Sequence, residues 1–213
     1  MLSYFHLETL LPRLFAFLIA MTLHDAAQAG TAWLLGDRTA RDSKRLSLNP
    51  LAHIDALGLA MIVFGPYGWS KKLPLDVTQF RRRPKLSLTF VYLVGPLMNL
   101  LLVFFFWWLY FFAPTWIGRG VETIAVEEWR VYLQYCVIVN LMMGMIHLLP
   151  LYPLDGWFVV RGLVSDRNRP WFERNEYYGL LLVLILMITP IGQWALAHIY
   201  PLAAQIVMNL FSL

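Results

Sequence analysis

The stretch Thr22-Leu23-His24-Asp25-Ala26-Ala27-Gln28-Ala29-Gly30 places ionisable and polar groups near the middle of a strongly apolar segment that runs over residues 12–35. Ionisable residues at that depth in a membrane are energetically costly and usually functional. On a helix, His24 and Gln28 lie one turn apart on the same face, and Asp25 lies beside them. The stretch therefore predicts a helix that crosses the membrane and carries a functional cluster.

The composition extends this prediction to the whole chain. Its 213 residues are 59% hydrophobic and only 14% charged, whereas charged residues make up about a quarter of a soluble domain. Residues 86–112 carry no charge at all, and about 20 apolar residues suffice to span a bilayer. We therefore predict an all-α, polytopic membrane protein with a single membrane domain over residues 1–213.

The charges predict both the topology and the surroundings of the chain. Basic residues concentrate at 36–50 and 70–85, which favours a cytoplasmic location for both stretches and contact with lipid headgroups rather than nucleic acid. Residues 51–69 then cannot cross the membrane once, and Gly65-Pro66-Tyr67-Gly68 interrupts them, so we expect a re-entrant segment.

Four apolar stretches are expected to cross the membrane. They lie at about residues 12–35, 86–112, 131–149 and 177–197, and an apolar tail follows over residues 201–213. The first 11 residues contain Glu8 and no Lys or Arg, which does not match a cleaved signal peptide, so we expect the first span to be retained.

A second polar feature could meet the one on the first helix. Asp155 follows a turn that contains Pro150 and Pro153, directly after the third predicted span. His24 to Gln28 has the spacing of the helical metal-binding pattern His-Glu-x-x-His, and a zinc hydrolase needs three protein ligands and an open position for water. The candidate metal ligands are His24, Gln28 and Asp155.

Four further stretches, in this order, carry a resemblance to a known family. They are Gly36-Asp37-Arg38-Thr39-Ala40, Leu48-Asn49-Pro50-Leu51-Ala52-His53-Ile54-Asp55, Gly95-Pro96-Leu97-Met98-Asn99 and His147-Leu148-Leu149-Pro150-Leu151-Tyr152-Pro153-Leu154-Asp155-Gly156. With the stretch on the first helix, they resemble the site-2 protease family of intramembrane zinc metalloproteases, in particular its short bacterial members.

The resemblance implies a location in the bacterial cell membrane, one zinc ion and regulated cleavage of transmembrane segments by a zinc-activated water. It implies that His24 and Asp155 are metal ligands, unchanged from the family pattern. Asp25 stands where the family has its general-base Glu, Gln28 stands where it has the second His ligand, and His147 stands where it has an Asn. Asp25 is thus the candidate catalytic residue, and Asn99 and His147 are candidate site-lining residues.

The residues by themselves leave structural alternatives open. His24, Asp25 and Gln28 could form a buried hydrogen-bonded cluster that locks the first helix, and Asp155 could cap local backbone donors in its turn. We expect His147 to be a core histidine that bonds a backbone carbonyl. Alternatively, it could be a metal ligand that replaces the family's second His. We expect Asn99 to bond the carbonyl freed near Pro96.

The sequence is compatible with three candidate functions. The first is an intramembrane metalloprotease whose substrate is a transmembrane helix of another membrane protein. The second is a proteolytically inactive homologue, a pseudoprotease, that binds a transmembrane helix or lipid in the same groove. The third is a buried proton or ion relay, which ranks below the others because the inverted repeats common in transporters are lacking.

Overall fold

The regular elements in the described part of the chain are helical. The computed structural model describes residues 7–64, 68–117 and 124–190, together with residues 192, 194, 198, 201 and 205. The helices are α1 (Leu7–Leu35), α2 (Thr39–Asp42), α3 (Ala56–Phe64), α4 (Pro84–Ile117), α5 (Ile124–Ile146), α6 (Asp155–Leu163), α7 (Arg169–Arg174) and α8 (Glu176–Ile188). The predicted all-α class is confirmed.

Three of the described helices are long and apolar enough to cross a membrane. The spans are Glu8–Leu35 in α1, Pro84–Phe112 in α4 and Glu128–Ile146 in α5. They follow the first three predicted spans, except that α1 begins before Pro12 and α5 ends at Ile146 rather than at residue 149. The chain is therefore an integral, multi-pass membrane protein.

The fourth predicted span is described continuously only as far as Pro190. Within it, α8 has 13 residues, fewer than the about 20 that a membrane-spanning helix needs. Thr189 then adopts an extended conformation, with φ −93° and ψ 155°. The predicted tail at residues 201–213 lies outside the described residues, apart from Pro201 and Gln205.

The main core lies where α1, α4 and α5 pack together. Small side chains on α1 let the helices approach closely, and larger ones fill the space between them. The buried members of this cluster are Ala16, Phe17, Ala20, Met21, Ile62, Leu102, Phe106, Cys136, Val139 and Met143. On its other side α4 packs against α6, so four helices converge beside the polar stretch of α1.

The two ends of the segment that contains α3 lie next to each other. Ile54 pairs with Ser70 in an isolated antiparallel bridge, and α3 lies between these two positions. The buried Arg13 of α1 donates a hydrogen bond to the Ile62 carbonyl at 2.6 Å, which holds α3 against α1. His53 and Ser70, near the two ends of this segment, both contact Asp25 and so cover one side of the polar stretch, while the re-entrant path stays a prediction.

Candidate metal centre

The polar cluster is assembled from four residues on three segments. Successive turns of α1 supply His24 and Gln28, the residue directly after α5 is His147, and the first residue of α6 is Asp155. All four side chains are buried, and none is more than 6% exposed. The structure therefore brings together the three ligands predicted from the sequence and adds His147 to them.

Asp155 is the hub of this cluster. Its Oδ2 lies 2.8 Å from Nε2 of His24 and 2.9 Å from Nδ1 of His147. Its Oδ1 accepts a hydrogen bond of 2.9 Å from the side-chain amide of Gln28. These contacts reach across the bundle to other side chains, unlike the local backbone cap considered from the sequence.

The surroundings of Asp155 favour its charged form. Burial alone would raise the pKa of this carboxyl, but the imidazoles of His24 and His147 outweigh burial and hold the pKa well below its usual range. These contacts therefore favour the carboxylate, which is the form that a metal ion binds.

A chain of hydrogen bonds fixes the ring of His24. The carbonyl of Cys136, which can only accept, receives the side-chain amide of Asn140 at 2.8 Å. The Asn140 oxygen then faces the amide nitrogen of Asn99 at 3.3 Å, and the Asn99 oxygen lies 2.6 Å from Nδ1 of His24. Nδ1 therefore carries a hydrogen, and Nε2 is the nitrogen turned toward Asp155, as in metal-binding histidines held by a second partner.

Two expectations for the lining residues change in the structure. The expected bond from His147 to a backbone carbonyl is wrong, because the ring bonds Asp155. Asn99 bonds His24 and Asn140 rather than the carbonyl freed near Pro96. Sequence reasoning also missed Asn140, although a lone amide within an apolar span is a signal of a functional or structural contact.

Gly95 of α4 provides the room for the cluster. A Cβ at this position would collide with Nε2 of His24 and with the amide nitrogen of Gln28. The absence of a side chain lets α4 close over the polar face of α1 and exclude other groups from it.

Asp25 faces a different set of partners. Its carboxylate accepts hydrogen bonds from Arg45 at 2.6 Å and Ser70 at 2.7 Å, and it lies 3.0 Å from Nδ1 of His53. The Nε2 of His53 contacts the Ser47 carbonyl at 2.9 Å. Asp25 therefore belongs to a buried ionic network with the segments that flank α3, and its side-chain bonds to described residues do not reach the Asp155 cluster.

The cluster has the composition of a metal site. Within the described residues, ligand atoms of His24, His147 and Asp155 lie within 4.8 Å of one another. Two imidazoles and one carboxylate are a known donor set of catalytic zinc, which binds each at about 2.0–2.2 Å and keeps a position for water. The residues present fit a zinc ion.

Comparison with known proteins gives two bacterial relatives, both named as putative zinc metalloproteases. YwhC of Bacillus subtilis (strain 168) is 30% identical over 197 residues, which cover 92% of this chain and 88% of YwhC. Rip2 of Mycolicibacterium smegmatis (strain ATCC 700084 / mc(2)155) is 26% identical over 195 residues, covering 86% of this chain and 69% of Rip2. No family model and no solved structure matches the chain. The chain therefore belongs to the family of zinc metalloproteases that includes YwhC, a site-2 protease-like family.

Proposed function

We propose that this protein is an intramembrane hydrolase that cleaves transmembrane segments of other membrane proteins with a zinc-activated water. The observation that carries the proposal is the buried convergence of His24, His147 and Asp155 inside a membrane-spanning bundle. The names of the two relatives support the same chemistry.

The metal would supply the chemistry, and the side chains would hold and orient it. Bound zinc lowers the pKa of a water ligand toward 7 and polarises a carbonyl group. His24 and Asp155 would hold the ion, and the Asn99–Asn140 chain keeps Nε2 of His24 directed at it. The proposed substrate is a transmembrane helix that unwinds locally, because a helical peptide bond is shielded by its own hydrogen bonds.

Asp25 is the proposed general base of this reaction. It directly follows His24 on α1, and as a carboxylate it can accept a proton from water. In the structure both of its oxygens already accept hydrogen bonds, from Arg45 and from Ser70. Each carboxylate oxygen has two lone pairs, so Oδ1, which accepts one bond from Ser70, can still take a proton from water.

The same network favours a second candidate function. The Asp25 carboxylate is bonded by Arg45, His53 and Ser70, an arrangement that holds α1 to its neighbouring segments and involves no proton transfer. In this second candidate the scaffold is proteolytically inactive and binds a transmembrane helix or lipid without cleaving it.

One set of measurements tests both candidates. The purified protein is analysed for zinc and then incubated with a model transmembrane substrate in proteoliposomes, beside Asp155→Ala, Asp25→Ala and, as a control, the exposed Asp42→Ala. The protease proposal expects about one zinc per chain, cleavage that Asp155→Ala removes together with zinc, and cleavage that Asp25→Ala removes while zinc stays bound.

The inactive candidate expects a different pattern. The parent protein would leave the substrate intact even when loaded with zinc, and the double variant Asp25→Glu with Gln28→His would gain zinc-dependent cleavage. A parent protein that contains no zinc after reconstitution would contradict the metalloprotease proposal.

A further inference from the structure

We propose that His147, rather than Gln28, supplies the third protein ligand of the metal beside His24 and Asp155. This inference rests on the proposed zinc site and says which of this chain's side chains build it. It changes the site from two ligands on α1 to one ligand each from α1, the end of α5 and the start of α6.

The side-chain amide nitrogen of Gln28 makes the contacts of a hydrogen-bond donor. Its amide nitrogen lies 2.9 Å from Oδ1 of Asp155 and 3.1 Å from Nε2 of His24, and an amide nitrogen has no lone pair to give a metal. Rotating the amide by half a turn would direct its oxygen at the Asp155 carboxylate, so two acceptors would face each other. Gln28 therefore orients the ligands and does not itself bind the ion.

The contacts of His147 leave it a lone pair for a cation. A neutral imidazole has one N–H donor and one lone pair. With the hydrogen on Nδ1, which bonds Asp155, the buried Nε2 has no hydrogen-bond partner among the described residues. With the hydrogen on Nε2, the lone pair of Nδ1 faces the Asp155 carboxylate at 2.9 Å. Either arrangement costs free energy unless a cation is present.

The ring of His24 contacts the same oxygen of Asp155, Oδ2, as the ring of His147. Its Nδ1 carries the hydrogen donated to Asn99, so the lone pair of neutral Nε2 lies 2.8 Å from Oδ2 of Asp155. The rings of His24 and His147 are 4.9 Å apart, with an interplanar angle of 69°. Two imidazoles thus converge on one carboxylate oxygen, an arrangement that either a proton or a metal ion shared with the carboxylate would stabilise.

The backbone holds His147 in this position. Its N–H continues the α5 pattern by donating to the Met143 carbonyl at 3.0 Å, and its carbonyl accepts the N–H of Gly156 at 2.7 Å. A Cβ on Gly156 would collide with the carbonyl oxygens of Leu148 and Leu149. Because the turn is tied at both ends, His147 and Asp155 are placed together before any metal arrives.

X-ray absorption at the zinc edge of the purified, zinc-loaded parent protein tests the inference without any substitution. We expect two imidazole ligands per zinc, from His24 and His147. One imidazole would overturn the inference and leave the proposed zinc hydrolase standing, whereas failure of the parent protein to bind zinc would overturn the proposed function and this inference with it.

Zinc affinity, measured by competition with a chelator, identifies the second imidazole. We expect His147→Gln to weaken binding by more than about 100-fold, and Gln28→Leu to weaken it by no more than the roughly 10- to 100-fold cost of losing an outer hydrogen bond. His198→Gln, which removes an exposed histidine, is the matched control. A larger loss in Gln28→Leu than in His147→Gln would overturn the assignment, and gel filtration checks that each variant remains folded.

Discussion

At the scale of single residues, a backbone carbonyl on another helix determines which ring nitrogen of His24 is available to bind a metal. Because the Cys136 carbonyl can only accept, it sets the direction of the bonds through Asn140 and Asn99 to His24. We predict that Asn99→Leu, which removes the acceptor for Nδ1, lowers zinc affinity by about 10- to 100-fold. Chelator competition measures the change.

Asn99→Asp is the matched control for this prediction. A carboxylate at position 99 still accepts the hydrogen of His24 Nδ1, although it can no longer donate to Asn140. We expect Asn99→Asp to retain more zinc affinity than Asn99→Leu, and nitrogen NMR of His24 to report the same ring hydrogen as in the parent. Equal affinity in Asn99→Leu and the parent protein would refute the role of the chain.

At the scale of elements, Asp25 connects α1 to the segments on both sides of α3. Arg45 donates to Asp25 and also to the carbonyls of Lys71 and Lys72, at 2.7 and 3.2 Å. Removing one partner of a buried ion pair leaves an uncompensated charge, at a cost of about 3–5 kcal/mol. We predict that Arg45→Met lowers the free energy of unfolding by about this amount, as measured by denaturant titration in detergent.

The double variant Arg45→Met with Asp25→Leu distinguishes destabilisation by an unpaired buried charge from destabilisation by lost packing. It removes both charges, so we expect it to be more stable than Arg45→Met alone. If the single and double variants unfold at the same denaturant concentration, the ion pair is not what holds the segments flanking α3 to α1.

At the scale of the whole molecule, the candidate metal centre joins α1, α5 and α6, with α4 closed over it through Gly95. A ligand that binds only the folded state stabilises the entire bundle, by about 2.7 kcal/mol at a free concentration 100 times its Kd. We predict that zinc raises the Tm of the parent protein in detergent, that a chelator reverses the shift, and that Asp155→Ala shows no shift. An unchanged Tm at saturating zinc would contradict a metal site at the junction of these helices.

The sequence by itself determined the class and most of the framework. Long apolar stretches identified the three described helices that can cross a membrane, because a helix satisfies its own backbone hydrogen bonds inside a bilayer. The excursion at residues 51–69 followed from the basic stretches on either side of it. His24, Gln28 and Asp155 were recognised as a group because their residue types and order match a metalloprotease pattern, and the structure places them within hydrogen-bonding distance.

Only the tertiary structure decided which partner each polar group takes. Asp25 and Gln28 lie three positions apart on α1, yet one bonds Arg45, 20 positions away, and the other bonds Asp155, 127 positions away. With 3.6 residues per turn, the two side chains diverge by about 60° around the helix axis, so the choice depends on which segments pack against each side. His147 joined the cluster for the same reason: the turn after α5 folds back onto Asp155, and no local pattern in the sequence specifies that contact.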